Sequence, residues 1–185
     1  MAYRNKTYIC FDADTDIRTY RMMQAWNENE NIEFNFHNAH ELNNLRPFSN
    51  EETIKRKLRE RMLNSSVAIV LVGNNTKNLY KFVRWEIELA INLDLPIIVV
   101  NLNYKKHMDS DLCPAILRNH LAIHVAYGQK IINYALNHWP DSYNKRKRNG
   151  DTGAYIYKMS VYKELYPDFM QRIYLLEDSD EFHAI

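Results

Sequence analysis

The sequence predicts an α/β fold, a parallel sheet covered on both faces by helices, and three observations predict it. Val67–Val72 and Pro96–Leu102 are continuous apolar runs, as strands buried on both faces require. Segments of helical recurrence lie between the strand-like runs, and this alternation is the order a parallel sheet needs. A short polar turn, Gly73-Asn74-Asn75-Thr76, closes the first of these runs before an amphipathic helix begins.

Taken in order, Thr7–Phe11 is a short β-favouring run and the first strand. Asp12, Asp14 and Asp16 then offer helix N-caps, and Ile17, Tyr20, Met23 and Ala25-Trp26 recur at helical spacing up to the polar Asn27–Asn31 break. Ile32, Phe34 and Phe36 alternate with Glu33 and Asn35, the period of a half-buried second strand. His37–Phe48 has no clear period and reads as a loop. Ser49 and Glu52 form a capping box that opens a helix through Ile54, Leu58 and Met62. Val67–Val72 is the third strand. Leu79–Leu93 follows as a helix with Val83, Ile87, Ala90 and Ile91 toward the core, and Pro96–Leu102 is the fourth strand. Polar Asn103–Asp111 leads to a helical turn near Pro114–Leu117. Leu121–Val125 is the fifth strand and Lys130–Trp139 the final helix, with Ile131, Ile132, Ala135 and Leu136 apolar.

About five strands in this spacing suggest the flavodoxin-like order 2-1-3-4-5. Ligands bind such sheets at the carboxyl ends of the strands, where the strand order reverses. That crevice would lie above strands one and three, lined by Phe11–Asp16 and Gly73–Thr76, with Glu86 nearby. Residues 1–140 are expected to form this domain. After Trp139-Pro140 the pattern weakens, and Asn144–Arg148 with Asn149–Gly153 reads as an exposed connector. Residues 141–185 are then a C-terminal extension that packs on the domain or on another chain. It carries four tyrosines within Tyr155–Tyr166 and an apolar stretch at Phe169–Leu176.

Composition narrows the functions. With 185 residues the chain has the length of one domain with an appendage, and about 70% of its unfolded surface can be buried. Hydrophobic residues make up 46% and charged residues 25%, an ordinary globular balance. A net charge of +1 supplies no field that draws in nucleic acid, so no specific nucleic-acid partner is expected. No apolar run reaches membrane-spanning length, and Met1–Lys6 has no signal-peptide core. The expected location is the cytoplasm, where Cys10 and Cys113 stay reduced, Cys10 as a small core residue. Four glycines in all exclude the glycine-rich dinucleotide fingerprint and the P-loop.

Each candidate site has a plain structural alternative. Asp12, Asp14 and Asp16 have the spacing of an EF-hand start, but Ile17 and Met23 occupy the positions that need glycine and glutamate. A magnesium-dependent phosphate receiver needs an aspartate where Gly73-Asn74 stand. The same acids would repel a flavin phosphate. Capping of the following helix is the simpler reading of these acids. His37 and His40 lie in a loop, His120 and His124 are four apart on a segment that reads as a strand and not the helix that would bring them together, and no third ligand is evident, so no metal is expected. Lys145–Arg148 reads as a solvated link. Glu86 differs from these. Phe82, Trp85 and Leu89 surround it with apolar bulk, Arg84 lies off its face, and its helix follows the strand that borders the crevice.

The segment Asn64–Thr76, then Phe82-Val83-Arg84-Trp85-Glu86-Ile87 through Ile91, then Pro96–Val100, resembles the TIR-like family of bacterial signalling domains. That family includes the TIR subunits of the Thoeris anti-phage systems. Tyr8–Asp12 is similar to the family's first strand and loop, and the resemblance covers about residues 5–125. It implies a flavodoxin-like fold and, for many members, cleavage of the nicotinamide–ribose bond of NAD. Some members pass the ADP-ribose moiety into a nucleotide signal. The family's catalytic glutamate maps onto Glu86. Phe82 stands where many members have tryptophan, and Asp12-Ala13-Asp14 where the first loop more often carries serine with an aromatic or histidine. The resemblance implies NAD as a substrate rather than a bound cofactor. Phe11 and Trp85 are expected to pack on its rings and Asn74, Asn75 and Thr76 to bond ribose or phosphate oxygens, with Asp12, Asp14 and Phe82 among the substrate-binding residues. The expected partners are the nucleotide and either a second copy or another signalling protein. The alternative functions are a non-catalytic TIR-like interaction module and a nucleotide sensor without turnover.

Overall fold

The computed structural model describes residues 6–28, 51–78 and 82–167. In chain order the elements are β1 (Thr7–Cys10), α1 (Ile17–Glu28), α2 (Glu51–Met62), β2 (Val67–Val72), α3 (Phe82–Asn92) and β3 (Ile97–Asn101). They continue with α4 (Ala115–Arg118), β4 (Ala122–Ala126), α5 (Gln129–Arg148), β5 (Ala154–Ile156) and α6 (Met159–Leu165). The five strands form one parallel sheet in the order β1-β2-β3-β4-β5. Its register sets Ile9 beside Ile69, Ile69 beside Ile98, Ile98 beside Ile123, and Ile123 beside Tyr155.

Side chains alternate across each strand, so this row and its neighbours fill one face while the intervening residues fill the other. Ile9, Phe11, Ile69, Leu71, Ile98, Val100, Ile123 and Val125 pack against Tyr20 and Met23 of α1 and against Ile132, Leu136 and Trp139 of α5. On the opposite face, Tyr8, Cys10, Ala68, Val70, Ile97, Val99 and Ala122 pack against Leu58 and Met62 of α2, Val83, Ile87 and Ala90 of α3, and Leu117 of α4. β1 to β4 are buried along their whole length, as continuous apolar runs require. Glu51 and Glu52 in the first turn of α2, with Arg59 and Arg61 in its last, complement the helix dipole.

The expected α/β doubly wound class is the observed one, and the strands at Thr7, Val67, Pro96 and Leu121 fall beside one another in the expected order. The order differs at the two ends. The expected second strand at Ile32–Phe36, the loop His37–Phe48, the cap at Ser49 and the apolar stretch Phe169–Leu176 lie outside the described residues. At the other end, β5 adds an edge strand of three residues, exposed at Ala154 and Ile156, too short and too polar in context to read as a strand.

The final helix is the clearest correction. It was expected to stop at Trp139, with 144–148 as an exposed connector, yet α5 runs through Pro140 to Arg148. A proline inside a helix costs about 3 kcal/mol. Trp139 and Tyr143 continue the buried stripe of Ile132 and Leu136 one turn further each, and burying two such rings is worth about as much or more. Tyr143 Oη also donates to Asp94 at 3.0 Å, and Lys147 pairs with the same carboxylate. Gly150 ends the helix with φ +77°; its N–H bonds Lys147 O at 2.9 Å and that of Asp151 bonds Arg146 O at 3.1 Å, the double bond of a Schellman stop.

Candidate functional site

Alternation along β1 sends Tyr8 and Cys10 to the α3 face of the sheet, and α3 lies across that face with Val83, Ile87 and Ala90 inward. Glu86 sits on the same side of the helix, one residue before Ile87. The residue as a whole is partly exposed, but its carboxyl turns inward, and Tyr8 Oη donates to Oε1 at 2.8 Å. Burial pushes the Glu86 carboxyl up to about 7, and the bond from Tyr8 works against that rise. Burial first, and then the Glu86 charge, hold the Tyr8 phenol far above its usual range, so it remains a donor. The Cys10 thiol is raised by the same two causes. Arg84, which the sequence places off the Glu86 face, is engaged with Glu88 at 2.7 Å. A nearly neutral apolar wall therefore holds one carboxyl whose protonation changes near neutral pH.

The other predicted site residues fall into three places. The first is the end of β1. Asp12 is buried and accepts from Asp14 N at 3.0 Å and from Thr15 Oγ1 at 2.7 Å, while Asp16 N bonds Asp12 O at 2.8 Å. These are the bonds of a turn that leads into α1. Asp14 is exposed. The second is the end of β2. Thr76 is buried; Gly73 N donates to its Oγ1 at 2.8 Å, and that hydroxyl donates to Leu71 O at 3.4 Å. Asn74 and Asn75 are exposed at the tip of this turn. The two ends meet, because a Cβ built on Gly73 would stand 2.6 Å from both carboxylate oxygens of Asp16. Any side chain at position 73 would force the Asp16 carboxylate to move. Burial raises the Asp16 carboxyl, and Asp12 adds to the rise.

The third place is the groove between α2 and α3, about 640 Å³, where Trp85 meets Leu58, Leu89, Lys55 and Arg56. Lys55 Nζ stands 4.2 Å above the indole. Trp85 thus lies on the α2 flank of α3, whereas the Glu86 carboxyl turns to β1. Phe11 also departs from its expected role beside a substrate ring. It is buried on the opposite face of the sheet, stacked on Tyr20 at 4.4 Å. Strand alternation separates it from Tyr8 and Glu86. Phe82 opens α3, and its side chain lies outside the described residues.

Sequence reading missed Tyr8. A tyrosine on a buried strand must find a hydrogen-bond partner, and the period of two places it on the Cys10 face, but no local pattern pairs positions 8 and 86. His124 lies at the centre of β4 with neither ring nitrogen bonded within the described residues, and burial drives its imidazole down to about 4. It is neutral at ordinary pH. Among the described residues no group of three His, Cys, Asp or Glu side chains is placed to hold a metal ion. No helix among them is long and apolar enough to cross a membrane.

A five-stranded parallel sheet with an acid-bearing helix over its first strand defines an α/β domain of the TIR-like class. The family model of the TIR-like domain of Thoeris protein ThsB matches residues 8–107, more than half of the 185, and the chain belongs to that family. It is a TIR-like protein of signalling and defence. The matched region runs from β1 through β3 and contains both Tyr8 and Glu86; β4, α5, β5 and α6 lie beyond it. No curated protein shows significant similarity to the chain.

Proposed function

We propose that this protein cleaves the nicotinamide–ribose bond of NAD and acts in antiviral signalling in the cytoplasm. Activity would come on self-association or on meeting another signalling protein. The observation that carries the reading is the Glu86 carboxyl, turned from solvent onto Tyr8 at the first strand, with a proton affinity near neutrality. As the C1′–N bond breaks, its electron pair leaves with nicotinamide and the ribose becomes cationic. A carboxylate held in a poorly solvated site stabilises that cation more than it stabilises the ground state. Nicotinamide leaves as a neutral group, so no general acid is needed. Water then adds at C1′ and loses a proton to solvent, giving ADP-ribose; a hydroxyl or ring nitrogen of the nucleotide in place of water gives a signal molecule.

Asn74 and Asn75, exposed beyond β2, offer amides to ribose or phosphate oxygens, with Asp12, Asp14 and Thr76 shaping the adjoining turns. Phe82 and Trp85, four residues and one residue before Glu86 in sequence, are the aromatic residues that this reading assigns to the substrate rings. The test is nicotinamide release from NAD by the assembled protein, followed by chromatography. Glu86→Gln keeps the shape and the acceptor for Tyr8, and it should lower release by roughly 100-fold or more with KM little changed. A Glu86→Gln protein with full turnover overturns the reading. A folded, assembled wild type that releases no nicotinamide points instead to the non-catalytic interaction module.

A further inference from the structure

We propose that Tyr8 is a positioning residue for Glu86, and that its phenol fixes Oε1 so that Oε2 is the oxygen offered to the substrate sugar. The inference rests on the NAD-cleavage reading of Glu86. Its basis is geometric. Tyr8 Oη reaches Oε1 at 2.8 Å across 78 positions of sequence, from the middle of a fully buried strand to a helix that packs on it. Tyr8 itself is 2% exposed and belongs to the buried cluster that holds Leu58, Met62, Ala68 and Ile87, so close packing leaves its ring little freedom. A glutamate has several rotamers, and holding one oxygen from a rigid partner removes most of that freedom before any ligand arrives. Oε2 has no hydrogen-bond partner among the described residues.

The surrounding charges leave this bond as the dominant polar influence on the carboxyl. From β1 the facing groups are the Tyr8 phenol and the Cys10 thiol, both driven toward their neutral forms by burial. From α2, Arg61 acts on the Tyr8 phenol and has its own partner. On α3, Arg84 and Glu88 neutralise each other. A tyrosine in this place does two things that an apolar residue cannot. It orients the carboxylate, and it keeps a useful fraction ionised in a site whose burial opposes charge.

The test is a carboxyl titration by NMR with ¹³C-labelled glutamate, in wild type and Tyr8→Phe, with the Glu86 signal assigned by its loss in Glu86→Gln. The wild-type midpoint is expected near 7. Removing the phenol hydroxyl should raise it by about 1 pH unit, since a bond to a charged acceptor is lost. The acid limb of nicotinamide release should move up by the same amount. Release below that limb should fall about 10-fold, while KM stays within about twofold. Should Tyr8→Phe not fold, 3-fluorotyrosine at position 8 decides: a more acidic phenol donates more strongly and should lower the midpoint. A midpoint that stays fixed in the folded variants, with Glu86→Gln inactive, overturns the role of Tyr8 and leaves the NAD reading standing. Full release by Glu86→Gln overturns that reading and the role of Tyr8 with it.

Discussion

Glu86 owes its character to where two alternations meet. The helical period of α3 puts it beside Ile87 on the sheet-facing side, and the strand period of β1 puts Tyr8 beneath it. Its acid strength then has consequences for folding that need no substrate. In the unfolded chain the group ionises near its ordinary 4.5; in the folded chain it ionises near 7. Because the folded value is the higher, the group's contribution to stability is fully present below about 4.5 and is lost as pH rises through about 7. Glu86→Gln lacks that loss. The melting temperatures of variant and wild type should therefore coincide near pH 4.5 and diverge with the variant higher by pH 8. The stability difference should reach roughly 2 kcal/mol, allowing for the partial exposure of the residue. Equal melting temperatures across that range would show that the carboxyl is solvated. The same residue-scale logic separates Phe11 from the site. Odd and even positions of β1 face opposite ways, so Phe11 cannot share a cavity wall with Tyr8.

At the scale of elements, much of the molecule was legible. β2 and β3 announce themselves as apolar runs because a central parallel strand has no solvent face on which to place a polar residue. The helix that carries Glu86 was legible for a related reason, since a helix must return the chain between two parallel strands. Its partner was not, because Tyr8 and Glu86 meet only through the packing of α3 on β1. Trp85 shows the limit from the other side. Its place next to Glu86 in sequence suggested a shared site, yet adjacent helical positions diverge by about 100°, which turns its ring to the α2 groove. α5 shows two local signals in conflict. Proline argued for an end, while Trp139 and Tyr143 continued the apolar stripe, and burial won. Pro140→Ala should raise stability in urea by up to about 3 kcal/mol, by restoring a bond to Leu136 O. Trp139→Ala should lower it by about 3–5 kcal/mol. A Trp139→Ala cost smaller than the Pro140→Ala gain would mean that something other than this stripe carries the helix past residue 140.

At the scale of the whole molecule, the family match ends at residue 107, yet the sheet does not. β4 is buried along its length, and β5 covers the edge it would otherwise present. Two tyrosines of the C-terminal region then stitch that side shut. Tyr162 Oη, at 4% exposure, accepts from Ala126 N at 3.2 Å, and Tyr166 Oη accepts from Ile131 N at 3.0 Å. These bonds engage the last residue of β4 and the first turn of α5, backbone donors with no partner inside their own elements. Tyrosine suits the task because its ring adds to the apolar cluster while its oxygen reaches the backbone. The short, half-exposed β5 carries little packing of its own, so its value lies in shielding the edge. A chain ending after Asn149 keeps all of α5 but bares β4 and frees both donors. We expect it to melt roughly 10 °C below the full chain, from a loss of about 3–5 kcal/mol, and to form higher oligomers on gel filtration as uncovered strands pair. Double replacement of Tyr162 and Tyr166 by Phe, which leaves β5 in place, should lower the melting temperature by only a few degrees and keep the oligomeric state of the full chain. Equal melting temperature and size for the truncated and full chains would make residues 150–185 an appendage that the sheet does not need.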